Sequence, residues 1–335
     1  MTPPLIQPTD RGLYCAAGDF HIDPWRPVER AVITHAHADH ARSGSNHYWA
    51  SRDSLGLLRR RLGQRAELTG LDYGETRSFG PVKVSLHPAG HVLGSAQVRV
   101  AHGNEVWVAS GDYKRDADPT CAAFEPVACD TFITEATFAL PVYRWPPVAD
   151  VARDIHAWWQ DNAAAGRTTM LFCYALGKAQ RVLAELPTPS PGPIYLHGAV
   201  APLTDDYRAA GVTLPPTRRV SEAPSDEDYG TSLVIAPPSA AGSTWMRRFR
   251  RPLTGFASGW MRIRGNRRRR GHDRGFVISD HVDWPGLLQT IEDTGARQVL
   301  TTHGRADELV RYLTERGLQA RPLATLYGDD PEEEA

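Results

Sequence analysis

Cysteine is scarce in this chain. The four among 335 residues (Cys15, Cys121, Cys129 and Cys173) form no C-x-x-C pair. This is not the spacing of a zinc ribbon or a disulfide framework, so we expect reduced thiols in a cytoplasmic protein. No run of about 18 apolar residues exists, which argues against a membrane span. The N-terminus has no basic stretch followed by an apolar one, so we expect no export.

Lysine is also rare, with three residues (Lys83, Lys114 and Lys178), so nearly all basic charge is arginine. Abundant Ala, Gly and Pro accompany this bias and indicate a GC-rich genome, so a single arginine carries little information. The stretch 261–275 is different, because it gathers seven arginines. It predicts either a groove for a nucleic-acid backbone, with Arg262 and Arg264 as contacts, or a solvated loop.

Both ends of the chain contain short β-branched runs flanked by Gly, Pro or Asp, which predict strands. The predicted strands are 30–34, 82–86, 96–100, 105–110, 131–134, 275–279 and 297–304. Helices are predicted over 51–62, where Ser51 is the cap, and over 285–295. This alternation predicts an α/β fold.

The proline-rich stretch 140–150 breaks this pattern. The segment beyond it predicts a helix, a strand, a helix and a strand at 148–166, 168–175, 177–186 and 192–198. We therefore expect one α/β domain made of residues 1–148 and 271–335. A smaller α/β domain, residues 149–270, interrupts it.

The stretch 33–40, "ITHAHADH", crowds three histidines and an aspartate into six residues. Extended backbone sends residues two apart to the same side, so His35 and His37 can present two imidazoles to one metal ion. Asp39 and His40 follow where the chain turns, and they can point at a second ion. Zinc accepts imidazole nitrogen and carboxylate oxygen, and catalytic zinc keeps a position open for water. We therefore predict metal binding rather than surface histidines at a strand end.

Three further candidate ligands each follow a β run: His91 in "HPAGHVLGSA", Asp112 in "ASGDYKRD" and His303 in "LTTHGRAD". Each residue alone is more typical of a cap or a loop. Their repeated placement after strands, in one chain with the histidine cluster, indicates a binuclear site. In such a site the carboxylate of Asp112 could bridge two ions.

The motifs "THAHADH", "AGHVLGSA" and "SGDY" resemble, in order and spacing, the metal-binding motifs of the metallo-β-lactamase fold. "TEAT", "ALGKAQ", "SDHVDW" and "TTHG" resemble the added motifs of its β-CASP branch, which processes nucleic acids. Within that branch, residues 12–41 look most similar to bacterial ligase-associated DNA exonucleases. The resemblance implies a metallo-β-lactamase αββα sandwich with an inserted, reduced β-CASP-like α/β domain.

The resemblance also implies roles for individual residues. One ion would take His35, His37, His91 and Asp112, and the other would take Asp39, His40, Asp112 and His303. Asp23 in "FHIDP" matches an aspartate that orients ligands without binding the metal. His281 matches a histidine that faces the scissile phosphate, and Glu135 matches the carboxylate that pairs with it.

The stretch "YALGKAQ" reads as a strand, a glycine turn and a helix start. Backbone N–H groups at Gly177, with Lys178 beside them, would hold a phosphate. A terminal phosphate bound there would favour digestion from a 5′ end.

We therefore expect a two-metal DNA exonuclease of DNA repair that uses a metal-bridging hydroxide and leaves a 5′-phosphate and a 3′-hydroxyl. Two divalent ions, Zn²⁺ or Mn²⁺, suit the ligands. The partners expected are DNA, single-stranded or as a duplex end, an ATP-dependent DNA ligase and a helicase, and no membrane. The first alternative is a β-CASP ribonuclease, because RNA-processing members keep a histidine at the position of His303. A small-molecule hydrolase of thioesters or lactams and an inactive binding scaffold are further alternatives.

Overall fold

The structure is a computed structural model that describes residues 4–263, 271–304 and 306–325. The chain divides into two compact units. The first unit combines Met1–Pro141 with His281–Glu334, and the second consists of Val142–Asp280. The second unit is longer at both ends than the domain 149–270 expected from the sequence. Both ends of the chain contribute to one unit, and the middle of the chain forms the other.

The N-terminal part of the first unit is mainly β-structure. Its elements are β1 (Gln7–Pro8), β2 (Leu13–Cys15), β3 (Phe20–Ile22), β4 (Arg30–Val32), β5 (His47–Ser51), α1 (Leu55–Leu62), β6 (Leu68–Leu71), β7 (Thr76–Phe79), β8 (Val82–Pro88), β9 (Ala96–His102), β10 (Glu105–Ala109) and β11 (Thr131–Glu135).

The second unit follows, and the chain then returns to the first. The elements of the second unit are α2 (Val148–Ala164), β12 (Thr169–Phe172), α3 (Lys178–Glu185), β13 (Ile194–Leu196), α4 (Ala201–Ala209), β14 (Arg218–Arg219), β15 (Leu233–Ala236), β16 (Leu253–Ala257) and β17 (Arg274–Phe276). The last elements of the first unit are α5 (Trp284–Thr294), β18 (Gln298–Thr302), α6 (Asp307–Glu315) and β19 (Gln319–Pro322).

The first unit contains two sheets. One has the strand order β1-β2-β3-β4-β5-β6, and the other has the order β19-β18-β11-β10-β9-β8-β7. In the second sheet β11 runs parallel to both β10 and β18, with Ile133 opposite Ala109 and Glu135 opposite Thr302. The segments that follow β10, β11 and β18 therefore leave the sheet at the same edge.

Alternating side chains give the seven-stranded sheet two buried faces. Trp107 and Ala109 join Val32 of the first sheet in one apolar cluster. Val108, between them, joins Leu287 of α5 in another. This period of two is what a strand backbone imposes on its side chains. The core therefore lies on both sides of this sheet, between the two sheets and beneath the C-terminal helices.

The second unit contains one sheet with the order β14-β13-β15-β12-β16-β17, and every pairing in it is parallel. Successive residues of β12 alternate between two apolar clusters: Leu171 lies in one, while Met170 and Phe172 lie in the other. Parallel sheets buried on both faces have continuous apolar strands, and "TMLF" fits this rule. Trp159 of α2 packs in the same cluster as Leu171.

The α/β class predicted from the sequence is confirmed. Predicted strands such as 82–86 and 131–134 correspond to β8 and β11, and the predicted helix 285–295 corresponds to α5. The prediction missed short strands, including β1 to β3, which span two or three residues each. Strands this short have too few alternating positions to produce a periodic signal.

The four cysteines have free thiols, as expected, and those of Cys15 and Cys173 are buried. None of the helices in the described part of the chain combines the length and apolar character that a bilayer crossing requires.

Candidate metal centre

Strand ends place the predicted ligands at one site in the first unit. His35 comes three residues after β4, and His91 lies in the loop between β8 and β9. Asp112 follows β10, and His303 directly follows β18. β8, β10 and β18 run in one direction in the seven-stranded sheet, so the loops that carry His91, Asp112 and His303 leave it at a common edge. His35 reaches them from β4 of the other sheet. Distant stretches of sequence thus converge on a single pocket.

The first group of ligand atoms comprises His35, His37, His91 and Asp112, whose ligand atoms all lie within 4.8 Å of one another. His37 Nδ1 lies 3.0 Å from His35 Nε2 and 3.1 Å from His91 Nε2. Asp112 Oδ2 lies 3.4 Å from His35 Nε2 and 3.7 Å from His91 Nε2. Ligands at zinc–nitrogen bond lengths around a tetrahedral ion would stand about 3.4 Å apart, which these separations approach.

The second group comprises Asp39, His40 and His303. Asp39 Oδ2 lies 3.5 Å from His40 Nε2 and 4.0 Å from His303 Nε2. Asp112 Oδ2 reaches this group too, because it lies 3.6 Å from His40 Nε2. One carboxylate oxygen therefore contacts histidines of both groups, which is the position of a bridging ligand.

The carboxylates of this site fit divalent cations. Asp112 is 1% exposed and Asp39 is 8% exposed. Within the described residues, no donor has hydrogen-bond geometry to Asp39 Oδ2 or to either oxygen of Asp112, and His35 Nε2 contacts Asp112 Oδ2 only at 3.4 Å. A buried carboxylate oxygen without such a bond is costly unless a cation compensates it. Imidazole nitrogen together with carboxylate oxygen is a donor set that suits zinc and manganese.

The pKa values in the site reflect the negative charge of its buried carboxylates. Burial lowers the pKa of His40, but the carboxylates of Asp39, Asp112 and Asp23 outweigh burial and raise it to about 10. Burial raises the pKa of Asp112, yet the nearby histidines, His40 first, bring it well below its usual range. The carboxylates around His40 therefore favour positive charge at this site.

Asp23 holds two parts of the site in place. Its Oδ2 lies 2.7 Å from His40 Nδ1, so the other ring nitrogen of His40 is the one turned toward Asp39. Asp23 also accepts hydrogen bonds from Thr34, from the backbone N–H at 2.7 Å and from the hydroxyl at 2.5 Å. Asp23 thus has the location expected of a residue that orients ligands without binding the metal.

Thr34 was missed by sequence analysis, although it sits inside the quoted motif. Its Oγ1 lies 3.0 Å from His35 Nδ1, so it connects Asp23 to a ligand of the first group. Gly111, with φ +56°, packs against it, and a Cβ at Gly111 would lie 2.6 Å from Thr34 Cβ. The glycine of "SGDY" is therefore required by close approach and by backbone conformation.

Arg61 is a second residue that the sequence did not single out. It lies in the last turn of α1, and its Nε donates to the carbonyl of Ala36, between His35 and His37, at 3.2 Å. Burial lowers the pKa of Arg61, and the charge of Asp39 acts in the opposite direction. Nothing in the sequence "LRRRL" distinguishes Arg61 from the two arginines that precede it.

A histidine–carboxylate pair adjoins the ligands. His281 Nδ1 lies 2.8 Å from Glu135 Oε2, and the backbone N–H of Tyr113 donates to Glu135 Oε1 at 2.8 Å. The ring of His281 lies 4.8 Å from that of His91, measured between centroids. Glu135 is 1% exposed, so its carboxylate is buried and does not face solvent at the end of β11.

In the second unit, the structure differs from the phosphate site predicted at Gly177 and Lys178. Lys178 begins α3 and is 1% exposed, with Nζ 3.7 Å from Asp280 Oδ2 and 4.4 Å from the ring centre of Tyr174. The N–H of Gly177 donates to Gln180 Oε1 at 2.8 Å. This buried ion pair and capped N–H differ from the open phosphate-binding terminus expected there. The helix cap satisfies a donor that a phosphate would otherwise take.

The predicted arginine contacts are described only in part. Arg262 is exposed, and its Nε donates to the carbonyl of Val142 at 3.3 Å. Arg264 lies outside the described residues. The prediction of a groove along the arginine-rich stretch 261–275 therefore stays a prediction.

Comparisons with known proteins place this site in context. No family model matches the chain. The chain is 35% identical over 315 residues to a protein of Opitutus terrae named probable DNA ligase, covering 92% of this chain and 30% of that protein. It is 26% identical over 251 residues to transcription termination factor FttA of Pyrococcus abyssi, covering 62% of this chain and 38% of that protein. Endoribonuclease YSH1 of Kluyveromyces lactis is 28% identical over 118 residues, which are 35% of this chain and 15% of that protein.

These relatives support a β-CASP nuclease of the metallo-β-lactamase type. The chain spans less than two fifths of the length of each of these three curated relatives. A crystal structure of a protein of unknown function from Enterococcus faecalis V583 matches with a TM-score of 0.59 at 13% identity, covering 89% of this chain and 80% of that one. At this identity the match shows the fold alone.

Proposed function

We propose that this protein is a two-metal DNA exonuclease that acts in DNA repair. The observation that supports a nuclease most strongly is the convergence of seven ligand side chains beside the Glu135–His281 pair. The relative named probable DNA ligase supports DNA as the substrate, because its similarity covers 92% of this chain. That protein is much longer than the shared segment, so an association with a DNA ligase, and with a helicase, is part of the proposal.

The ligand side chains named above would hold the ions. Divalent ions there would neutralise charge on a phosphodiester and lower the pKa of water, which makes hydroxide available near neutral pH. Zn²⁺ and Mn²⁺ both suit these ligands. Asp23 and Thr34 keep His40 and His35 in the orientations that this requires.

His281 is the candidate general acid. Glu135 accepts a hydrogen bond from Nδ1 of His281, which fixes the orientation of the ring. A protonated His281 can donate from Nε2 to the leaving 3′-oxygen of the scissile bond, so that the products carry a 5′-phosphate and a 3′-hydroxyl. The carboxylate is itself held by the N–H of Tyr113, so neither partner needs to reorganise during the reaction.

The expectation of 5′ polarity rested on Lys178 and loses that support. The ammonium of Lys178 is buried against Asp280 and so is not open to a terminal phosphate. Digestion of strands labelled at either end therefore has to measure the polarity directly.

A ribonuclease is the second candidate function. The relatives named transcription termination factor and endoribonuclease favour it, and so does His303, since RNA-processing β-CASP enzymes keep a histidine there. A lactam or thioester hydrolase is disfavoured because it would not need the second unit.

The test is digestion of matched DNA and RNA strands of one sequence, single-stranded and duplex, labelled at either end, with Zn²⁺ or Mn²⁺ added. We expect progressive shortening of DNA by single nucleotides, with RNA degraded more slowly. Faster cleavage of RNA would select the ribonuclease. Turnover of a chromogenic lactam without cleavage of either strand would contradict both candidates.

A further inference from the structure

A long stretch of the second unit carries positive charge without any acidic residue. Residues 229–272 contain ten arginines and neither aspartate nor glutamate. Four of these arginines are clustered in "WMRRFRR", residues 245–251. They precede the stretch 261–275, and the structure describes them. Such a one-sided charge distribution attracts anions, whatever the near-neutral net charge of the whole chain.

Arg167, Arg250 and Arg251 line a surface depression of about 630 Å³. The chain segments that carry them are tied together. Arg167 donates from a guanidinium nitrogen to the carbonyl of Arg251 at 3.2 Å, and the N–H of Leu253 donates to the carbonyl of Thr168 at 2.9 Å. Arg251 adopts φ +44°, a left-handed conformation that is uncommon for a residue with a side chain. The depression is thus built by two backbone segments fixed beside each other.

These three arginines differ from many other arginines on the surface. Among the described residues, no carboxylate oxygen lies within 4.0 Å of a guanidinium nitrogen of Arg167, Arg250 or Arg251. In the first unit, exposed arginines at positions 52, 297 and 311 each pair with an acid, at 2.6 Å, 3.0 Å and 2.9 Å. Three guanidinium groups around one depression, without an acidic partner among the described residues, form a site that attracts an anion.

We propose that this depression binds the phosphodiester backbone of a nucleic-acid strand. Guanidinium groups match phosphate geometry and remain charged at any physiological pH. Several such groups side by side suit a polymer with regularly spaced phosphates better than a single ion. The choice of nucleic acid as the polyanion rests on the proposed nuclease function. The depression would then be a second contact for a strand, on a unit that does not contain the metal ligands.

Binding is measured by fluorescence anisotropy with a labelled single-stranded oligonucleotide, in EDTA so that cleavage does not interfere. The full chain is compared with the triple variant Arg167→Ala, Arg250→Ala, Arg251→Ala. A matched control, Arg52→Ala, Arg297→Ala, Arg311→Ala, removes the same charge at ion-paired positions. We expect the triple variant to bind roughly tenfold more weakly. The slope of the logarithm of its binding constant against the logarithm of the salt concentration should become less negative by about 2. The control should keep the slope of the unchanged chain.

Four other results would overturn the proposal. An equal slope in the unchanged chain and the triple variant, or an equal loss in the control, overturns the proposal, as does failure of the unchanged chain to bind. Displacement of the strand by millimolar inorganic phosphate, with affinity independent of strand length, would show a site for single phosphates and overturn it as well. Thermal unfolding confirms that each variant is folded.

Cleavage in added Mn²⁺ is recorded separately on the same samples. If the unchanged chain cleaves but the triple variant binds normally, the proposed function stands and this inference fails. If the triple variant loses binding while the unchanged chain cleaves nothing, the proposed function fails and this inference stands.

Discussion

His281 and Glu135 lie 146 positions apart in the sequence, yet Nδ1 of the histidine is 2.8 Å from Oε2 of the glutamate. Both side chains are buried, and the other oxygen of Glu135 is held by the N–H of Tyr113. A buried carboxylate needs such partners. These contacts keep the imidazole of His281 in one orientation beside the metal ligands.

Replacing His281 by Ala should therefore slow cleavage while the metal content stays unchanged. Loss of a general acid costs on the order of 10²- to 10⁴-fold in rate. The measurement combines the single-turnover rate with elemental analysis of the purified variant. His102→Ala, at an exposed position of the same unit, is the control. Loss of bound metal in the His281 variant would instead make that residue a ligand.

Replacing Asp112 by Ala should remove both bound metal and cleavage. Its Oδ2 contacts histidines of both ligand groups, at 3.4 Å from His35 Nε2 and 3.6 Å from His40 Nε2. Without it, the remaining ligands have no shared anionic oxygen. Metal content and activity are measured on the same preparation. Near-normal turnover in this variant would refute the bridging position.

Thr34→Val tests the support beneath the ligands. The substitution keeps the shape of the side chain but removes the hydroxyl that bonds Asp23 and contacts His35. We expect metal affinity to fall roughly 10- to 100-fold, as for other partners of metal ligands. Competition with a chelator gives the affinity. Thr69→Val, whose hydroxyl bonds His47, is the matched control and should retain full affinity.

The thiol of Cys173 should be unreactive in the folded protein at neutral pH. Burial raises its pKa to about 12 from an ordinary value near 9. The folded state therefore keeps a proton that the unfolded state loses above pH 9. The stability from this group is complete below pH 9 and declines toward pH 12, by at most about 1.4 kcal/mol per pH unit.

The check on Cys173 is thiol titration before and after unfolding in urea, together with urea melts at pH 8 and pH 10. Cys173→Ala should lessen the decline in stability between the two pH values. Rapid native labelling of Cys173 at pH 7, identified by peptide mapping, would contradict its burial.

Much of this site could be predicted from local sequence. The crowded residues of "THAHADH" and the positions of His91, Asp112 and His303 after strands are visible in the local sequence. The extended strand expected to orient His35 and His37 ends at Val32, and residues 36–40 form bends and turns instead. The structure brings the predicted ligands together as two groups that meet at Asp112.

What could not be predicted depends on contacts between distant segments. Nothing local in "YALGKAQ" shows that Asp280, about a hundred residues later, pairs with Lys178 and buries it. Thr34 and Arg61 are similarly ordinary residues until packing places one beside Asp23 and the other beside the carbonyl of Ala36. Tertiary hydrogen bonds of this kind have no sequence period to reveal them.

Metal stoichiometry, combined with anomalous diffraction from crystals soaked in Zn²⁺ or Mn²⁺, tests the central claim most directly. We predict two ions per chain, one at His35, His37 and His91 and the other at Asp39, His40 and His303, with Asp112 between them. A protein that stays free of metal after soaking, with these side chains turned away from one another, would contradict the account.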